Sequence, residues 1–325
     1  MKKILILLFL FSFFSALSTA QEAQVSEKDQ KIAQNHFIPS AGFQALQIEE
    51  KDFVFTPSAG LQFVRTKNRL VESKHPDMIA AGINYTQNYC TAGLGPQSIK
   101  QIHGFSLMGS VANKKDSFVG MLASSGEVPF SHIKTVTGAL LYTHQFLKTE
   151  HLTFTLGGGL VVGDFGINIK GYDLYFFALP VFNFSYSNKI FSTTLSLMGP
   201  PSVSLTLFPK AMFRLKASAG IAGFKSIRDL TFDCALVYYP LAFTDGSMKE
   251  VVTISAGVMN KHASYILKNN TKYSLQYYSV YGEINASIVT VRCGYNFDGR
   301  KYINSKPAGE MYKGLFASLS AIYMF

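Results

Sequence analysis

Tryptophan is absent from this 325-residue chain, charged residues make up only 15% of it, and cysteine occurs three times. A soluble domain typically carries about 25% charged residues, so the low charge argues against an ordinary soluble enzyme. Cys90, Cys234 and Cys293 show no CxxC or zinc-ligand spacing. So few cysteines in a chain of this length exclude a disulfide scaffold, and at most one disulfide can form among them.

Long apolar runs are also missing. After Gln21 the sequence contains no uninterrupted run of the roughly 18 apolar residues that a membrane-spanning helix needs. Hydrophobic residues nevertheless make up 48% of the chain, so they are abundant but dispersed. This combination favours a membrane β-barrel over a helical membrane protein or a soluble enzyme.

The first residues do contain one apolar run, from Ile4 to Leu17, after two lysines and before the small residues 18–20. This layout predicts a secretory signal peptide over residues 1–20, because the run is short for an uncleaved membrane helix. Residues 21–36 are polar and carry no core pattern. We therefore expect a flexible N-terminal extension over 21–36 and a single β-barrel domain over 37–325.

From there onward the apolar residues recur with a period of two. In residues 134–163, two stretches of ten or more residues are apolar on one face and polar on the other, and a short turn joins them. Such strands are longer than usual globular strands and match the 9–11 residues of a tilted transmembrane strand. About sixteen segments fit, and those at 41–49 and 202–208 are short. The pattern predicts an all-β, closed antiparallel transmembrane barrel of 14–16 strands, with twelve as the lower bound.

Charged residues interrupt the polar faces of these strands. We expect five of them to line the lumen, because charges in the middle of a strand need water on that face: Arg214, Lys216, Asp229, Asp233 and Arg292. If the lumen is open, its cations favour anions. If the two aspartates pair with the cations, the barrel is filled instead.

Motifs for chemistry are missing as well. The glycine-rich residues 156–166 do not fit GxGxxG, and neither GxxxxGK[ST] nor HExxH occurs, so we expect no nucleotide, metal or other cofactor. His262 and Ser264 stand close together in a predicted loop, 260–272, but no GxSxG elbow accompanies them. We therefore expect that the protein is not an enzyme. Export and the absence of a basic patch argue against a nucleic-acid partner.

The last strand, "LFASLSAIYMF" (residues 315–325), alternates apolar residues and ends in an aromatic residue. With the leader and the long amphipathic strands, it resembles Gram-negative outer-membrane β-barrel proteins. The resemblance implies an outer-membrane location and contact with the lipid bilayer and lipopolysaccharide. It also implies that the barrel assembly machinery recognises Leu319, Tyr323 and Phe325.

For such a barrel we expect a passive pore or transporter for small solutes, in the manner of porins. Two alternatives stay open. One is a non-conducting structural or surface-interaction barrel, plugged by side chains or by inward loops. The other is an outer-membrane lipid hydrolase that uses His262 and Ser264.

Overall fold

A computed structural model describes residues 33–67, 77–94, 98–169, 172–197, 201–221, 230–240, 252–267, 271–286 and 288–323. Four sequence predictions fall outside these residues: the signal peptide at 1–20, most of the extension at 21–36, and the individual residues Asp229 and Phe325. No helix among the described residues is long and apolar enough to cross a membrane.

The described residues form seventeen strand segments: β1 (Ala33–Gln47), β2 (Phe53–Lys67), β3 (Met78–Leu94), β4 (Ile99–Ala112), β5 (Asp116–Gly126), β6 (Val136–Lys148), β7 (Leu152–Ile169), β8 (Tyr172–Ser187), β9 (Phe191–Ser196), β10 (Ser202–Leu207), β11 (Phe213–Ile221), β12 (Leu230–Tyr238), β13 (Val252–Ile266), β14 (Lys272–Ala286), β15 (Val289–Ile303), β16 (Lys306–Glu310) and β17 (Gly314–Ile322). A 3₁₀ turn, Ile133–Thr135, precedes β6.

These strands close into one ring. Each strand from β1 to β15 pairs antiparallel with the next, and β1 also pairs with β17 from Ser40↔Ile322 to Leu46↔Phe316. Both β16 and β17 pair with β15, so together they count as one interrupted strand of the barrel wall. The predicted closed antiparallel barrel is confirmed. The prediction left the strand count open between twelve and sixteen. The described barrel wall has sixteen strands when β16 and β17 are counted as one.

Several strands run further than the apolar alternation indicated. β1 begins at Ala33, before the expected domain boundary at 37, and β13 continues to Ile266 inside the predicted loop 260–272. The loop boundary was wrong because polar residues such as Lys261 end the apolar pattern while the backbone continues to pair, here with Tyr277 of β14.

The outer face of the ring is apolar. Large side chains with more than two fifths of their surface exposed alternate with inward residues along the strands, among them Leu140, Leu160, Phe213, Leu236, Val258, Ile284, Val291 and Leu319. A closed ring satisfies every wall carbonyl and amide through its neighbours, which is the condition for crossing lipid with strands. The outer face therefore suits contact with acyl chains.

Aromatic pairs mark both ends of the barrel. At the end where Ile322 lies, here called the C-terminal rim, ring centroids are 4.8 Å apart for Phe213–Tyr238 and 5.5 Å apart for Tyr186–Phe191. At the opposite rim, where β2 begins, the ring centroids of Phe53 and Phe55 are 5.8 Å apart. Aromatic rings at both ends of an apolar band are typical of the two interfaces of a membrane.

The wall differs in height around the ring. β13, β14 and β15 have 15 residues each, whereas β9 and β10 have six each. β8 pairs with β9 only between Asn183 and Ser187, so the rest of β8 rises above its neighbour. The wall is lowest at β9 and β10.

Candidate functional site in the barrel lumen

The β13–β14 hairpin crosses the lumen at the opposite rim. The carbonyl oxygen of Ile266, at the end of β13, lies 3.2 Å from the position that a Cβ on Gly126 of β5 would occupy. In the order of strands around the ring, β5 and β13 lie half the circumference apart. The hairpin therefore divides this mouth of the barrel into two parts.

One part is filled by apolar side chains. We call it the filled sector: the inner faces of β13 and β14 together with those of β1–β4. Its largest members include Ile102 and Leu275, both 0% exposed. Other buried members of the same cluster are Leu46, Val54, Cys90, Tyr265, Tyr273 and Tyr277. This is a hydrophobic core inside the barrel.

A charged network lies within the same side of the lumen. The Arg292 guanidinium donates to Glu283 at 2.7 Å and lies 3.7 Å from Asp233. Its Cζ atom is 4.4 Å from the centroid of the Tyr281 ring, and the Tyr281 hydroxyl donates to Asp233 at 2.5 Å. Lys261 lies within electrostatic range of Arg292 and both carboxylates. Two cations and two carboxylates here compensate each other.

The other part of the lumen is lined by polar side chains that are exposed to solvent. We call it the open sector: the inner faces of β9, β10 and β11. Ser202, Ser204, Lys216 and Ser218 are all exposed there. In the register of β10 and β11, Ser204 stands opposite Ser218 and Thr206 opposite Lys216. No aspartate or glutamate occurs in these three strands, so the surface carries hydroxyls and cations only.

Arg214 and Lys216 share one aromatic neighbour at the border of the open sector. The Arg214 Cζ atom lies 3.7 Å from the centroid of the Tyr239 ring, and the Lys216 Nζ atom 5.5 Å from it. Arg214 also donates from Nε to the carbonyl oxygen of Ala211 at 3.1 Å, and the residue is buried. Lys216 remains exposed to the lumen.

Of the five charges predicted to line the lumen, the structure describes four. Arg214 and Lys216 alternate with the exposed, outward Phe213 and Leu215. Arg292 and Asp233 face inward as well and meet in the charged network. Asp233 therefore contacts Arg292 and Tyr281 rather than the two cations of β11.

Sequence reasoning missed three members of the charged network around Arg292, namely Lys261, Tyr281 and Glu283. Lys261 fell in a predicted loop, although it stands two residues beyond the inward Met259 on the same alternation. In β14 the alternation is masked because residues on both faces are apolar or aromatic. The signal for Glu283 was its place opposite Arg292 in the β14–β15 register, which only the pairing reveals.

The His262–Ser264 pair lies within β13 and not in a loop, so the predicted location was wrong. Ser264 Oγ is 3.2 Å from the hydroxyl of Ser274 on β14. Both residues of the pair stand at register positions on the face of β13 opposite Tyr265. Among the described residues, no group of three or more His, Cys, Asp or Glu side chains is placed to hold a metal ion.

Of the predicted assembly residues, Leu319 and Tyr323 are described and are 49% and 47% exposed on the outer face. Their recognition by the assembly machinery stays a prediction.

A closed antiparallel ring with an apolar outer band, aromatic residues at both rims and a partly polar interior defines a transmembrane β-barrel of the bacterial outer-membrane class. The protein resides in the outer membrane.

Comparisons with known proteins add nothing to this class. No protein-family model and no curated protein sequence matches the chain. Among solved structures, the low-pH form of OprB from Pseudomonas putida is similar with 13% identity and a TM-score of 0.45, over 92% of this chain and 94% of that one. OmpT from Vibrio cholerae gives 11% and 0.33 over 90% and 100%, and OccAB3 from Acinetobacter baumannii 7% and 0.31 over 90% and 99%. Likeness at this level carries no argument about the chain.

Proposed function

We propose that the protein is a passive pore for small polar solutes, which cross the membrane along the open sector. The observation that carries the proposal is the exposed row of serines on β10 and β11, continued by Lys216, on an inner face that none of the described apolar side chains covers. A barrel of this strand number is wide enough for an aqueous channel beside inward-folded segments.

The hydroxyl surface suits a conduit for hydrated solutes. Each hydroxyl both donates and accepts hydrogen bonds, so it can replace part of the water shell of a passing solute. On β9 the Thr194 hydroxyl, 3.1 Å from that of Ser185, extends the polar surface toward β8. Such a surface offers contacts that are weak and numerous, as passage requires.

Conductance of the purified full-length protein in planar bilayers tests the proposal, with discrete current steps as the expected result. Ser204→Trp should reduce the step size, because residue 204 faces the open sector. The matched control is Val203→Trp on the same strand, since Val203 is 43% exposed on the outer face and its replacement should leave the step unchanged. Absence of steps, or equal effects of both variants, would overturn the proposal.

The second candidate is a non-conducting barrel, and the filled sector is the observation that favours it. The hairpin across the mouth and the core beneath it block half of the opposite rim. If this core closes the whole lumen, the folded protein should give no current steps. It should still migrate as a heat-modifiable band in detergent. The same bilayer experiment therefore decides between the two functions.

A further inference from the structure

We propose that the open sector selects for anions, and that Lys216 is the residue that sets this selectivity. The inference rests on the proposed pore function and names the solute class for the same site. Small oxyanions and carboxylates fit it, because hydroxyl donors and one accessible ammonium group line the path.

Lys216 differs from the other described lysine in this part of the lumen by its surroundings. Lys216 makes no ion pair with a described carboxylate, and its Nζ atom lies over the Tyr239 ring. Lys261, by contrast, lies near Asp233 and Glu283. The Lys216 ammonium group is therefore available to a solute, whereas the charge of Lys261 is already balanced.

The hydroxyls around Lys216 complete the contacts that an anion needs. Thr206 is directly opposite Lys216 on β10, and Ser204 and Ser218 form the next inward pair of the same ladder. Hydroxyl groups can turn their protons toward an anion, and hydrogen bonds to a charged partner are stronger than neutral ones. The three hydroxyls and the ammonium group thus lie along one stretch of wall.

The charge count of the lumen agrees with an anion path. Between residues 214 and 292, the described side chains that face inward comprise four cations, Arg214, Lys216, Lys261 and Arg292, and two carboxylates, Asp233 and Glu283. Both carboxylates belong to the Arg292 network. Lys216 therefore has no described carboxylate to compensate it, so its positive charge lies at the open sector, where walls of low dielectric constant strengthen the field.

The C-terminal rim has the same sign. Its turns expose five lysines: Lys114, Lys115, Lys148, Lys189 and Lys210. The described acidic residues beside them are Asp77, Asp116 and Glu150, so the five lysines outnumber the carboxylates, and Asp116 already lies 2.9 Å from His144. A mouth of one sign raises the local concentration of counter-ions and directs them to the path inside.

Reversal potentials across a bilayer with a potassium chloride gradient test the inference. We expect the unmodified pore to favour chloride, Lys216→Gln to lose most of this preference, and Lys216→Glu to reverse the sign of the potential. Lys148→Glu makes the same charge change on a rim turn and should shift the potential much less. Heat-modifiable migration checks that each variant folds.

The outcomes separate the two proposals. Current steps without anion preference, or a preference that Lys216→Glu leaves intact, would overturn the selectivity of Lys216 while the pore function stands. A protein that folds and gives no current steps would overturn the pore function and the selectivity with it.

Discussion

The filled and the open sectors are built from the same antiparallel wall and differ in two respects. β13 and β14 have 15 residues each and reach across the mouth, whereas β9 and β10 have six each and end below it. The inner face of β14 carries Tyr273, Leu275 and Tyr277, which are buried, whereas that of β10 carries Ser202 and Ser204, which are exposed.

The comparison teaches that strand length and inner-face chemistry act together. A long hairpin can fold over the lumen, but it stays there only if burial of its inner face offsets the ordering cost. Each fully buried large apolar side chain contributes about 1.5–3 kcal/mol, and the β13–β14 hairpin brings several. The hydroxyls of β10 offer no such gain, so that face remains in water.

The largest expected effect comes from opening the filled sector. The double variant Ile102→Ser, Leu275→Ser removes two fully buried side chains from facing walls and places hydroxyls in the core. We expect the single-channel step to rise several-fold, because water enters the released volume. Val203→Ala with Leu205→Ala, a matched double change on the outer face of β10, should leave the step nearly unchanged. An unchanged step in the folded core variant would contradict this division of the lumen.

A smaller effect should separate the two inward cations. Arg292→Gln leaves Glu283 and Asp233 without their guanidinium, so we expect the free energy of unfolding to fall by about 1–3 kcal/mol. Lys216→Gln breaks no described ion pair and should change it by less than about 0.5 kcal/mol. Urea titration in lipid vesicles measures both. Equal losses would mean that Lys216 also has a structural partner.

The smallest effect concerns thiol access. In a background with Cys234→Ala and Cys293→Ala, we expect the buried Cys90 to resist a water-soluble maleimide until the protein unfolds. Ser204→Cys in the same background should react in the folded state, because reaction needs an accessible thiolate. Rapid labelling of Cys90 would show that the filled sector opens in the native state.

Alternation in sequence predicted the wall well and the interior only in part. β11 shows apolar and polar residues in strict alternation, so both its strand and the inward direction of Lys216 follow from the sequence. The hairpin across the mouth could not be predicted, because it places Ile266 beside Gly126. Gly126 is far away in sequence and belongs to a strand that is not adjacent to β13. Strand periodicity describes which way a side chain points and contains no information on what it meets across the lumen.

β10 shows the limit in the other direction. Its segment is too short for the alternation of apolar and polar residues to be distinctive. β10 is nevertheless a strand of the barrel wall, because β9 and β11 supply hydrogen-bond partners on both sides. The compensation of the Arg292 charge was hidden for a related reason, since its two carboxylate partners come from two other strands, β12 and β14. Inter-strand register decides both cases.

The pairing of β1 with β17 also has a consequence for biogenesis. The two strands that seal the cylinder lie at opposite ends of the described sequence, with Ser40 facing Ile322. Contacts of such large sequence separation form late and slowly. Until β17 is available, β1 and β15 both expose unpaired edges, so every earlier intermediate is an incomplete sheet prone to association with other chains. Completion of the cylinder should therefore be a single late event, and a chaperone that shields β1 would be needed longest.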